Sequence, residues 1–473
     1  MPDISDTDLF PLPLTTFEEY MLAEDREDYP AVFTIHLTFA GRFQPAAIEA
    51  AFETALERHC LLRALVRESA AKGHRFEWVP AESPRRCNLW EGDEAAYEAL
   101  AATGIDLRHT PGLRAFLSQH GDQADMRFQF HHACCDGLGG LQFIEDLLTA
   151  YHDAVMPYAP RQAPMPLDPR RLRERGTFGL NVWKYALRLH KEFVGVLGAI
   201  QFLVDRPSPL AGSPYERLAG AQGNDSRSHA SRCSQTFTPN ETEQILAAAR
   251  HAGGTLNDLL IRDLFHTLFQ WNDHGMTCPN RRVRIMIPTN LRLSDDAVMP
   301  AANVVSMVFL DRRGGTMLAA RPRLFDKLCQ WEMGVCKWGR LGLTMIHCLA
   351  LAQRFRRGMA WLLPAERCLA TAVLTNLGEP LRGAPLPRRE GCIVAGDVTL
   401  QRIEPFVPLR PLTHIGLAIA TYAGCLTLTL HYDPQHLTSE DGIDLLGQFA
   451  RRIRAASQLP RSPREPFTGR GGR

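Results

Sequence analysis

Two adjacent histidines, His131 and His132, lie four residues ahead of Asp136 and a glycine-rich turn, Gly137, Gly139 and Gly140, within MRFQFHHACCDGLGGLQFIEDLLTAY, residues 126–151. Imidazole is the side chain best matched to proton transfer near neutral pH. Asp136 has two readings. It could fold back toward the imidazole, or it could pin the turn. The plainer alternative is two ordinary histidines at a strand end, with Asp136 capping the helix that follows. Cys134 and Cys135 raise the thought of a metal centre with the two histidines. Four ligands packed into five residues of a turn would not readily surround one ion, so no metal is expected.

The elements around this stretch must hold it in place. Met126, Phe128 and Phe130 alternate with Arg127 and Gln129, the period of a half-buried strand. Leu141, Ile144, Leu148 and Tyr151 recur at helical spacing. A strand end feeding a glycine-rich turn can present a side chain in an unusual pose. Neighbours on a strand point to opposite faces, so one histidine of the pair faces away from whatever the other meets. Residues 120–125 turn the preceding strand, 112–118, back into residue 126. Further strands are expected at 31–40, 75–79, 284–290, 302–310 and 372–378, and two more at 414–433 joined at Gly424. Pro45 starts a helix whose apolar face is Ile48, Phe52, Ala55 and Leu56. Thr238 with Glu241 and Thr255 with Asp258 are capping boxes for two later helices. A final helix spans 438–454.

Composition bounds the class. The chain has 473 residues, 45% hydrophobic and 22% charged, which fits a soluble globular protein of two domains or one large pseudo-duplicated one. The 53 Lys+Arg against 52 Asp+Glu leave a net charge of +1 and argue against a nucleic-acid binder. The N-terminal MPDISDTDLF is acidic and lacks an apolar run, so a cytoplasmic protein is expected, its 12 cysteines free thiols. The longest apolar stretch, 193–204, is too short to span a membrane, which takes about 20 residues. With Lys184, Arg188 and Lys191 before it, it reads as a basic amphipathic helix packed on the domain surface; a helix facing lipid, peripheral to a membrane, or admitting substrate is the alternative.

The order HHxxxDG resembles the signature of the acyltransferase superfamily that includes chloramphenicol acetyltransferase, the condensation domains of peptide synthetases, wax-ester synthases and polyketide-associated acyltransferases. Other stretches are similar to motifs of the same group: PLTTFEEY (13–20), RHCLLRALV (58–66) to RHxxLR, TLNDLL (255–260) to NDxL, PTNLR (288–292), ANVVSMVFL (302–310) to a GNxxS-type strand, and AVLTNLG (372–378) to an S/TNxG strand. Cys60 stands where relatives often carry an acid or proline, and Ala302 where they carry glycine. For Asn257 and Asp258 taken singly, helix capping and core packing suffice.

The resemblance implies an α/β fold of two chloramphenicol acetyltransferase-like lobes, each a mixed sheet with flanking helices, with the active-site tunnel between them. The lobes are expected at 1–160 and 231–460, joined by a proline-rich crossover at 161–230 that carries the amphipathic helix, with a disordered tail at 461–473. It implies that His132 is the general base, that His131, Gly137 and Arg63 support it, and that Asp136 pairs with Arg63. Thr375, Asn376 and Asn303 are candidates for lining the tunnel or binding an oxyanion, beside the Gly137 N–H. The implied reaction moves an acyl group from a thioester to an alcohol. No cofactor is bound: a coenzyme A thioester is a substrate, with an acyl carrier protein as the alternative donor and a small-molecule or lipid alcohol or amine as acceptor. An amide-forming condensation enzyme and a non-catalytic two-lobe binding protein are the other readings.

Overall fold

Thr15 opens the first helix with reciprocal bonds, its hydroxyl accepting from Glu18 N–H while its own N–H donates to the Glu18 carboxylate. This computed structural model describes residues 9–458 apart from 71–74, 82–88, 92–96, 98–102, 159, 181, 213–230, 274–280, 315–321 and 356. The expected tail, 461–473, and the end of the crossover therefore lie outside the described residues. The first half contains β1 (Leu12–Pro13), α1 (Thr16–Glu24), β2 (Val32–Ala40), α2 (Pro45–Arg58), β3 (Ala64–Glu68), β4 (Phe76–Pro80), β5 (Leu89–Glu91), β6 (Leu113–His120), β7 (Gln123–His131) and α3 (Gly137–Val155). The crossover carries α4 (Val182–Val204). The second half contains β8 (Arg232–Thr236), α5 (Pro239–His251), α6 (Leu256–Asp273), β9 (Arg282–Asn290), β10 (Val305–Arg313), α7 (Pro322–Gly339), α8 (Gly342–Gln353), α9 (Gly358–Leu362), β11 (Ala372–Asn376), β12 (Arg388–Arg389), β13 (Cys392–Ala395), β14 (Val398–Phe406), β15 (Ile415–Tyr422), β16 (Cys425–Tyr432) and α10 (Ser439–Gln458).

The strand that carries the histidines sits inside its sheet. β7 pairs antiparallel with β2, from Val32 opposite His131 to Ala40 opposite Gln123, and on its other side with β6. Met126, Phe128 and Phe130 are fully buried, and Phe143 of α3 packs edge-on against Phe128, Phe130 and Phe52 of α2. Each such ring contributes about 1.5–3 kcal/mol by leaving water. The end of β7 is therefore fixed by its sheet neighbours and by the helices on its apolar face.

Seven strands form this first sheet, in the order β12-β13-β14-β2-β7-β6-β5. Three of them come from the second half of the chain, so a lobe of residues 231–460 is not self-contained: its segment 388–406 belongs to the N-terminal sheet. β14 pairs with β2 from Thr399 opposite Ala40 to Phe406 opposite Thr34. Without it β2 would be an open edge with unpaired backbone groups. The turn after β13 is tied down as well, because the Tyr151 hydroxyl of α3 donates to Asp397 at 2.6 Å.

The second sheet has the order β10-β9-β11-β15-β16-β8, with β11 parallel to β9 and β15 and the other pairs antiparallel. Both sheets are thus mixed and flanked by helices, the two-lobe α/β architecture expected. β10 begins at Val305, three residues later than the sequence pattern predicts; residues 302–304 form a loop that is put to other use.

The crossover is anchored by charge. Glu18, fully buried, meets Arg175 through two bonds, Nε–H at 2.7 Å and Nη2–H at 2.8 Å, and also accepts from Trp78 Nε1–H at 3.1 Å. Such a two-pronged pair is worth most where water is excluded. Removing one partner strands the other charge. Arg175→Ala should therefore lower the stability to urea unfolding by about 3–5 kcal/mol; a loss under about 1 kcal/mol would mean that water reaches Glu18 and satisfies it.

Candidate active site

His132 and Asp136 lie one after the other on a tight turn between β7 and α3. His131 N–H donates to Gly112 O, and His132 N–H to Ala31 O, so strand pairing continues through both histidines. The side chains then part company. His131 is fully buried inside the first lobe, where its Nδ1 accepts from Ala133 N–H at 3.1 Å and its Nε2 lies 3.4 Å from the Asp25 carboxylate. His132 turns the other way, half-buried, toward the second lobe, with its ring edge-on to Phe33.

Three residues from the loop between β9 and β10 reach this turn. Asn303 donates from Nδ2 to the His132 carbonyl at 2.5 Å, and Val304 N–H donates to Asp136 Oδ2 at 2.9 Å. Ala302 O accepts from Asp136 N–H at 3.2 Å. Gly139 lets this loop approach closely: a Cβ on it would come 3.1 Å from Ala302 N and 3.2 Å from Ala302 O, so the loop would have to give by a few tenths of an ångström. Leu377, just past β11, closes on the same turn, and a Cβ on Gly137 would lie 2.9 Å from its Cδ2.

Asp136 is the hub. Its Oδ1 accepts from Gly139 N–H at 3.0 Å, which caps α3, and its Oδ2 accepts from Arg292 Nη1–H at 2.6 Å. The same guanidinium donates from Nη2 to Ala302 O at 2.8 Å. The cation that meets Asp136 is therefore Arg292 of the second lobe. The expected Arg63 is not among its hydrogen-bond partners, because the turn faces the seam between lobes while Arg63 ends the helical turn Cys60–Arg63 within the first. Arg292 is the final residue of PTNLR, so the motif was visible in the sequence while its role was not.

The other residues of RHxxLR do serve the site. His59, fully buried, accepts Ala301 N–H at its Nδ1, 2.9 Å away, and its Nε2 lies 3.0 Å from Asp146 Oδ2 on α3. Arg58 shares that carboxylate at 2.6 Å. Burial lowers the His59 pKa despite the nearby Asp146, so its one proton sits on Nε2 and Nδ1 stays an acceptor. The 301–304 loop is thus held at two points of the first lobe, by His59 and by Asp136.

Electrostatics keep His132 neutral. Burial lowers its pKa; a hydrogen bond between its ring and its own carbonyl oxygen and the charge on Asp136 pull the other way without cancelling it. The contact of Asn303 Nδ2 with His132 Nδ1 is longer, 3.3 Å, than its bond to the carbonyl. For Asp136, burial raises the pKa, but Arg292 and the Gly139 and Val304 N–H groups outweigh it and hold the carboxyl below its ordinary value. Burial pushes the Cys135 thiol well up, which leaves it inert. The metal-ligating groups that converge among the described residues are His414, Asp433 and His436, not the histidines and cysteines of this turn.

The remaining candidates divide. Asn376 spends its amide, donating to Asn257 Oδ1 at 2.7 Å and accepting from Gly378 N–H at 2.8 Å, so it braces the end of β11 against α6. Thr375, one residue earlier, is half-buried. Asp258 and Thr255 form the capping box of α6.

No protein-family model matches the chain. An uncharacterized protein of Mycobacterium tuberculosis is 23% identical over 466 residues, 94% of this chain and 98% of that protein. Among solved structures, the first condensation domain of the CDA synthetase superposes with a TM-score of 0.66 at 14% identity, covering 96% of this chain and 97% of that one. Polyketide synthase associated protein 5 from Mycobacterium tuberculosis gives 0.57 at 16%, covering 94% and 97%. The starter condensation domain of rhizomide synthetase, in complex with C8-CoA and Leu-SNAC, gives 0.63 at 14%, covering 96% and 96%. The fold is that of the superfamily the sequence motifs resemble.

Arg292→Ala should destabilise the protein by about 3–5 kcal/mol, because it strands a buried carboxylate. The sign of the pH effect follows from the depressed Asp136 pKa. Its contribution is present above about pH 3.9, the value for a free aspartate, and is lost as pH falls through the folded-state value. Arg292→Ala should therefore lose more stability at neutral pH than at pH 3; an equal loss at both would refute the charge pairing.

Proposed function

We propose that this protein is an acyltransferase that moves an acyl group from acyl-coenzyme A to an alcohol, with His132 as general base. The observation that carries this reading is the placement of the His132 ring: half-buried at the end of β7, directed at the seam between lobes beside Asn303, with burial lowering its pKa and so favouring the neutral form. Active sites commonly lie in clefts of this kind, and the tunnel through which donor and acceptor meet is assigned to this seam.

The steps follow from that geometry. His132 Nε2 takes the proton of the acceptor hydroxyl as its oxygen attacks the thioester carbonyl. The carbonyl oxygen becomes an oxyanion beside the turn. There the N–H of Gly137, first residue of α3, is the nearest kind of donor such a charge needs, aided by the positive end of the helix; Thr375 is the side-chain candidate. The tetrahedral intermediate collapses by breaking the C–S bond, and the leaving thiolate recovers the proton from His132. Asp136 does not touch the reacting atoms. It positions the turn, and with it the ring. A thioester is already activated, so this route uses no acyl-enzyme intermediate.

PTNLR and TNLG favour an alcohol acceptor over an amine. One neighbour of the fold was solved with an acyl-coenzyme A bound. Each of these supports the reading independently of the His132 geometry.

The test is to incubate the protein with acyl-coenzyme A of several chain lengths, follow release of free thiol, and add alcohols and then amines. Thiol release that depends on alcohol is expected. Release only with amines would favour amide formation, and none with any donor would favour a binding protein. His132→Asn should lower turnover by about two to four orders of magnitude. His131→Asn should retain the chemical step and lose stability instead, since its ring is packed within the first lobe. The reverse pattern would overturn the assignment.

A further inference from the structure

We propose that the face built by α4, α7, α8 and α9 docks on the surface of an anionic lipid bilayer. The inference does not depend on the acyl-transfer reading. It starts from α4, a 23-residue helix attached along a narrow strip. Arg188 and Glu192 are buried there and bonded to each other at 2.7 Å. Glu192 also accepts from Thr344 Oγ1 of α8 at 2.8 Å, and a Cβ on Gly195 would collide with that same threonine. The polar groups of the inner strip are thereby satisfied within the protein.

The opposite side of α4 is apolar and bare. Trp183, Leu187, Phe193, Leu197, Ile200 and Val204 recur at helical spacing, at exposures from 52% to 81%. The neighbouring helices continue the pattern. Trp331 and Trp338, seven residues apart on one side of α7, and Trp361 on α9 are 65%, 55% and 71% exposed. Lys191 ties α4 to α7, its ammonium 4.6 Å from the centre of the Trp338 ring and bonded to the Trp338 carbonyl at 3.1 Å. On α8, His347 reaches Glu192 of α4, and Leu351, one turn further along the same helix face, is 58% exposed. Soluble proteins rarely leave so much contiguous apolar surface uncovered.

Charge identifies the occupant. The chain as a whole carries +1, but residues 337–357 hold five Lys/Arg and no acid, and Lys191 of α4 adds a further cation beside them. Lys337, Arg354 and Arg357 among them are exposed. A basic rim around an apolar helix face rich in tryptophan suits phospholipid headgroups above and acyl chains below. A second copy of this chain would bring like charges together. A folded acidic partner would leave most of the bare apolar face of α4 without polar groups to fix its register. No helix among the described residues is long and apolar enough to cross a membrane, so α4 would lie in the interface. The face also adjoins the seam, for Arg340, between α7 and α8, donates to the carbonyl of Leu291 at 2.9 Å, beside Arg292.

The test is co-flotation of the full-length protein with vesicles of phosphatidylcholine and of phosphatidylcholine mixed with phosphatidylglycerol. Binding to the mixed vesicles is expected, weaker to phosphatidylcholine alone and falling with added salt. Leu197→Glu combined with Ile200→Glu should weaken it by about tenfold or more, and Arg354→Gln with Arg357→Gln by about tenfold. Thermal unfolding should not change, because these side chains are in solvent. The proposal is overturned if the protein does not float with the mixed vesicles, or if the Leu197/Ile200 variant floats like its parent. It is equally overturned if that variant converts a dimer to a monomer in sedimentation while vesicle binding is unaltered. The salt and lipid dependence of the parent protein decides the matter even if a variant folds poorly.

Discussion

The bond between Arg292 and Asp136 is the constraint on which the rest of the site depends. One carboxylate oxygen caps the helix that follows the histidine turn, and the other receives a guanidinium and a backbone N–H from the second lobe. Arg292 in turn holds the Ala302 carbonyl, which accepts Asp136 N–H. Helix start, interlobe seam and histidine orientation are thereby one network. In such a network each group is satisfied only while the others are in place, which gives a single geometry instead of a range of them. Desolvation acts on both groups with opposite outcomes: Asp136 has enough donors to stay charged and its pKa falls, while the half-buried His132 ring has its pKa lowered toward the neutral form.

Much of this was legible in the sequence where the signal is local. The alternation of Met126, Phe128 and Phe130, the glycines after Asp136, and the spacing of Leu141, Ile144 and Leu148 specify strand, turn and helix, and the opposite directions of His131 and His132 follow from strand geometry. Asp136 proved to be both a cap and a pin, so the plain and the sharper reading of that residue are both partly right. What the sequence does not state is pairing at long range. Three arginines in these motifs were available to Asp136: Arg58, Arg63 and Arg292. Choosing between them requires knowing that the loop after β9 crosses to the first lobe, which is a property of the assembled sheets. The strands β13 and β14 were not anticipated from the sequence, and no local pattern says that β2 will receive them. The same limit applied to His59, visible in the sequence as part of the RHxxLR-like stretch but not as the residue that holds Ala301 of the other lobe.

The loop that positions His132 and the helices that present the apolar face are joined through Leu291 and Arg340. A protein that takes an acyl chain from a thioester and lies against a bilayer would receive hydrophobic substrates where they are concentrated, and the His132 turn would be reached without their crossing bulk water.

The most direct test of the central claim, that a half-buried, neutral His132 acts as the base, is the pH dependence of kcat/KM for alcohol-dependent thiol release. A base must be deprotonated to act, and burial lowers the His132 pKa. The acid limb of the profile should therefore fall below the ordinary imidazole value of about 6.5, and the residual activity of His132→Asn should lack that limb. A limb at or above the ordinary value, or the same limb persisting in His132→Asn, would contradict the account.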